Sequence, residues 1–67
     1  MLIQINGESH TTTATSIAQL VHSLGMKADR VAVELNREIA PRKQWEEIPL
    51  RDGDKLEIVQ FVGGGGN

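Results

Sequence analysis

The chain has 67 residues, seven Lys or Arg against nine Asp or Glu, a net charge of -2 and no Cys. That length holds one small module and excludes a two-domain enzyme, while the missing thiols exclude a disulfide, a thiolate zinc site and a Cys nucleophile. An apolar fraction of 39% suffices for a compact core, and charges that never run beyond two of one sign make nucleic acid and anionic membrane poor partners.

The chain opens Met-Leu-Ile-Gln-Ile-Asn, without a basic leader, and no segment approaches the ~20 apolar residues of a membrane span. The expected address is the cytoplasm. Leu2 to Ile5 is rich in branched residues and runs into Asn6-Gly7, the pair that most readily adopts the positive φ values of a type I′ hairpin turn. The residues predict a strand with Ile3 and Ile5 inward and Gln4 outward, returning over Glu8 to Thr13 as a polar edge.

Ser16, followed three residues later by Gln19, has capping-box form. A helix is expected from there, because Ile17, Leu20, Val21 and Leu24 fall at i, i+3, i+4 and i+7, and Gly25 can close it in the left-handed conformation. Val31, Val33 and Leu35 alternate with Ala32 and Glu34, which predicts a strand with one buried face. Asn36-Arg37 then reads as a turn, and Glu38 to Ala40 as a short partner strand stopped by Pro41. Arg42 to Leu50 has no clean period and reads as irregular, with a single helical turn, capping the edge of the core.

Asp52-Gly53-Asp54 signals another turn before Lys55 to Val62, the longest strand candidate. Leu56 and Ile58 belong to one face, Val59 and Phe61 to the other. Gly63, Gly64, Gly65 and Gly66 follow and bury no side chain, so residues 1–62 form the domain and residues 63–67 a flexible tail with a reach of ~17 Å.

Placing the first and last strands side by side and parallel, with the helix in the connection, buries both Ile-rich faces under the helical stripe. The expected fold is therefore α+β, a β-grasp (ubiquitin-like) mixed sheet of four to five strands on one helix. The tail then leaves the sheet at the end that carries the Asn6-Gly7 turn.

Conventional sites are not evident. His10 and His22 have no third ligand at metal spacing, and Asp52-Gly53-Asp54 lacks the remaining ligands of a calcium loop. Both read as surface groups, as do Glu46-Glu47, while Ser16 is accounted for as a cap. The glycine run precedes no helix and so is no phosphate loop. It is either a plain chain end or a thread that carries a reactive carboxyl group into a partner, for which residues lacking Cβ are suited.

The stretch from Val33 through Asn36 and Pro41-Arg42 to Trp45, followed by Leu50-Arg-Asp-Gly-Asp-Lys-Leu-Glu-Ile-Val59 and the glycine run, closely resembles the ThiS family of sulfur carriers in thiamine biosynthesis. The likeness spans nearly the whole chain. It implies a co-substrate with no bound cofactor, whose terminal glycine carboxylate is adenylated by a ThiF-type enzyme using ATP and magnesium. A persulfide donor then supplies sulfur, giving a thiocarboxylate that thiazole synthase consumes. Family tails end in glycine, whereas here Asn67 follows Gly66. The resemblance thus implies that Gly66 becomes reactive once Asn67 is removed, with Gly63, Gly64 and Gly65 threading the channel; trimming further back, to Gly65 or Gly64, is the variant of this expectation. Val59 and Phe61 are the expected docking patch. Two other readings share the fold: the small sulfur-carrying subunit of molybdopterin synthase, and a ubiquitin-like binding module whose tail does no chemistry.

Overall fold

The first hairpin forms as its residues dictate. A computed structural model describes residues 1–61, and in it β1 (Leu2–Ile5) pairs antiparallel with β2 (Glu8–Thr11). Asn6 and Gly7 take φ values of 52° and 86°, which only a type I′ turn requires at both positions. Strand β2 stops short of the expected Thr13. The Thr12 hydroxyl accepts the Ala14 N–H at 3.0 Å, and this local turn draws the chain off the edge.

Helix α1 (Ile17–Ser23) carries the expected stripe, with Ile17, Leu20 and Val21 buried and Leu24 half-buried after its end. Its capping box is reciprocal but shifted. Ser16 Oγ accepts from Gln19 N at 3.2 Å, as predicted, yet Gln19 Oε1 reaches past Ser16 to accept from Thr15 N at 2.9 Å. The Ser16 position is drawn elsewhere, into a bridge with Pro49, and Leu50 N donates to Thr15 O at 3.1 Å. Gly25 closes the helix at φ 75°.

A short 3-10 turn at Ala28–Arg30, which has no apolar period to announce it, leads into β3 (Val31–Leu35). Asn36 and Arg37, both at positive φ, turn the chain into β4, which spans only Glu38–Ile39; Ala40 keeps one bond, from its N–H to Val33 O at 2.9 Å. The expected helical turn in the irregular stretch is a 3-10 turn at Arg42–Gln44. Strand β5 (Lys55–Gln60) comes last and is two residues shorter than expected; Val62 lies outside the described residues.

The five strands form one mixed sheet in the order β2-β1-β5-β3-β4, with β1 and β5 parallel and every other pair antiparallel. The helix lies in the connection between the parallel strands, on one face only. Its stripe meets Ile3, Ile5, Val31, Val33, Leu56 and Ile58, and Trp45, Ala40 and Leu50 from the irregular stretch close the side of this core. That stretch also satisfies the helix N-terminus, since Ile17 N donates to Ile48 O and Ala18 N to Trp45 O.

Asn6 has a second task. Where β1 turns away, its carboxamide takes the place of the next peptide in the ladder: Oδ1 accepts from Ile58 N at 2.8 Å and Nδ2 donates to Ile58 O at 3.1 Å. Asn6→Ala removes both bonds and places a Cβ-bearing residue without a polar side chain at positive φ. The expected cost is about 2 kcal/mol, read as a lower urea midpoint at unchanged m-value. Asn6→Gly relieves the backbone but not the ladder and should lose less.

Candidate functional site

The candidate site is the end of β5 and the sheet face around it. Alternation along β5 sends Leu56 and Ile58 into the core and turns Lys55, Glu57 and Val59 to the face that α1 does not cover, with Phe61 next in the same phase. Val59 is 57% exposed and Phe61 48%. Both sequence-predicted docking residues thus stand on the open face, side by side at the root of the tail. Ala32 lies directly opposite Val59 on β3, and Ile39, 70% exposed, lies opposite Glu34 on the same face. Ile39 was not foreseen as part of this surface, although its phase relative to Glu38 could have indicated it once the β3–β4 register was known.

The strand that leads to the tail is held unequally from its two sides. On the β3 side, paired positions run from Leu35–Leu56 to Val31–Gln60, and Phe61 N donates to Arg30 O at 2.7 Å. On the β1 side, pairing ends with the Asn6 carboxamide at Ile58. Among the described residues no main-chain partner meets Gln60 there. Gly63, Gly64, Gly65, Gly66 and Asn67 lie outside the described residues.

The remaining polar candidates are structural. Asp52 Oδ1 accepts from Leu2 N at 2.6 Å, Asp54 Oδ1 accepts from Asn36 Nδ2 at 3.0 Å, and Asp54 Oδ2 accepts from Arg51 N at 2.8 Å. Their carboxylates organise the turn before β5 and stitch it to the β1 start and the β3–β4 turn. His10 lies half-buried on β2, whereas His22 is exposed in the last turn of α1. No group of three or more His, Cys, Asp or Glu among the described residues could hold a metal ion. No described helix is long and apolar enough to cross a membrane.

A mixed five-stranded sheet with parallel first and last strands, and one helix in the crossover between its two hairpins, is the β-grasp architecture. The ThiS family model matches residues 3–65, and the chain belongs to the ThiS family. It is 39% identical over 67 residues to the sulfur carrier protein ThiS of Bacillus subtilis, covering 96% of this chain and all (100%) of that protein. A solved thiamine biosynthesis protein (ThiS) from Geobacter metallireducens superposes with a TM-score of 0.80 at 35% identity, covering 97% of this chain and 100% of that one. A protein named thiazole synthase from Paramagnetospirillum magneticum is 44% identical over 66 residues, or 97% of this chain, but the chain spans only 20% of that relative's length.

Proposed function

We propose that this chain is a sulfur carrier for thiazole formation in thiamine biosynthesis, a protein co-substrate whose reactive group is the main-chain carboxyl of Gly66. The observation that carries the reading is a ThiS-family match over nearly the whole chain, in a domain whose last strand, Lys55–Gln60, is followed in sequence by Phe61, Val62 and four glycines. A carboxylate is a poor electrophile. A ThiF-type adenylating enzyme would join it to AMP from ATP and magnesium, releasing pyrophosphate. The outer sulfur of a persulfide donor would then displace AMP to give an acyl disulfide, and a second thiol would attack the donor-side sulfur, releasing the thiocarboxylate for thiazole synthase and leaving a disulfide on the donor. The longer relative named thiazole synthase, with a region like this chain as a fifth of its length (20%), supports that last partnership.

The chemistry requires a free glycine carboxylate, and Asn67 occupies the carbonyl of Gly66 in a peptide bond. Cleavage after Gly66 therefore precedes activation. ATP–pyrophosphate exchange with the adenylating enzyme tests this: a chain ending at Gly66 should support exchange, and the chain carrying Asn67 should not. Equal rates would refute the trimming step, and exchange by neither would refute the carrier reading.

Val59 and Phe61 form the surface that the adenylating enzyme grips while the glycines enter its channel. Exposed apolar side chains this close to the threaded segment lose contact with water on docking. Phe61→Asp should weaken that complex by about tenfold or more, a charge replacing a contact aromatic, with the thermal transition unchanged because Phe61 lies outside the core. Calorimetric titration of the partner measures it; unaltered affinity removes Phe61 from the interface.

A further inference from the structure

We propose that Arg42 is a positioning residue that fixes the direction in which the tail leaves the sheet; the proposal rests on the reading that the tail is delivered to a partner. Arg42 lies on the turn Arg42–Gln44. Its Nε donates to Ala28 O at 2.7 Å, its Nη2 to Val31 O at 3.4 Å, and its guanidinium carbon stands 5.8 Å from the Trp45 ring centroid. The two carbonyls bracket the 3-10 turn Ala28–Arg30. One planar fork thus staples both ends of that turn and rests on a buried indole.

The staple matters because of what the turn holds. Arg30 O, between the two stapled carbonyls, accepts the Phe61 N–H at 2.7 Å, the last bond of the final strand among the described residues. With the β1 side of Gln60 open, Phe61 has this anchor and no counterpart across the strand. Loss of the Arg42 donors frees the turn, and Arg30 O moves with it. The last fixed point of β5 then retreats to the Ala32–Val59 pair. Phe61, the last described residue, then samples more directions than when Arg30 O holds it. Fewer of those directions suit docking, so apparent affinity falls in proportion to the competent fraction.

Arg42→Gln keeps an aliphatic stem against Trp45 and removes the forked cation; Arg42→Lys keeps charge and length but loses the fork. Amide exchange of the full chain, followed residue by residue by NMR, gives the first readout. In Arg42→Gln the Phe61 amide should exchange about tenfold faster, the loss expected when a charged donor's hydrogen bond is removed. Val59 and Ile58, held by Ala32 and Asn6, should keep their wild-type rates, and Arg42→Lys should fall between. The second readout is pyrophosphate exchange with chains ending at Gly66. The KM for the carrier should rise by a similar factor at constant kcat, since the bound tail reacts as before.

Equal acceleration at Phe61, Val59 and Ile58 would make Arg42 a general stabiliser and overturn the proposal. So would an unchanged Phe61 rate, or a loosened Phe61 with unchanged KM. A chain ending at Gly66 with Arg42 intact that supports no exchange at all overturns the carrier reading instead, and the Phe61 amide rates still decide whether Arg42 anchors that strand end.

Discussion

Deleting Gly63 to Gly66 should abolish growth of a thiamine auxotroph that lacks its own carrier, down to the level seen with no carrier at all. The same deletion should leave thermal unfolding untouched. Among the described residues, every buried apolar side chain lies between Ile3 and Ile58, so the core has no stake in the glycines. Loss of function without loss of stability separates a reactive thread from a structural strand. Full growth with the deleted chain would show that the body, not the tail, is what the pathway uses.

Trp45→Ala should cost about 3–5 kcal/mol, up to the whole stability of a domain this small. At 67 residues the total stability is on the order of 3–10 kcal/mol, and truncating a buried Trp costs about 3–5 kcal/mol. Trp45 is 3% exposed, its Nε1 donates to Ala40 O at 2.7 Å, and its own carbonyl caps Ala18 N at the start of α1. One residue therefore joins the end of β4 through its indole and the helix through its carbonyl, while its buried ring packs in the core. Trp45→Phe preserves most of the apolar volume but leaves the Ala40 carbonyl without its buried donor. It should lose about 1–3 kcal/mol. Urea unfolding of the two variants measures both; a stable Trp45→Ala protein would mean that the irregular stretch is not needed to close the core.

The elements that could be read from residues alone are those whose signal is local and periodic. Ile17, Leu20, Val21 and Leu24 at helical spacing, Val31 and Val33 at strand spacing, and Asn6-Gly7 at positive φ each depend on near neighbours, and each formed as expected. The parallel pairing of β1 with β5 followed from the need to bury both Ile-rich faces under one helix. Val59 and Phe61 could be placed on the open face because the phase of Leu56 and Ile58 leaves them no other.

What escaped depends on long-range partners. The Asn6 carboxamide completes the ladder at Ile58, 52 positions away in sequence, and nothing around Asn6 distinguishes that role from a plain turn residue. Gln19 bonds Thr15 rather than Ser16 because the bridge to Pro49 redirects the backbone before the helix. The turn at Ala28–Arg30 is three residues long and carries no buried side chain, so no pattern marks it. Its importance appears only with Arg42 bound to Ala28 O on one side and Phe61 bound to Arg30 O on the other.

The carrier reading places all reactivity at one main-chain carboxyl and gives the folded body the work of recognition. Intact-protein mass spectrometry tests this most directly, after a chain ending at Gly66 has been incubated with the adenylating enzyme, ATP, magnesium, a persulfide donor and a reducing thiol. The account predicts a mass gain equal to the exchange of one oxygen for one sulfur, found on fragmentation at the C-terminal glycine. An unmodified chain, or sulfur attached anywhere else in the sequence, would contradict it.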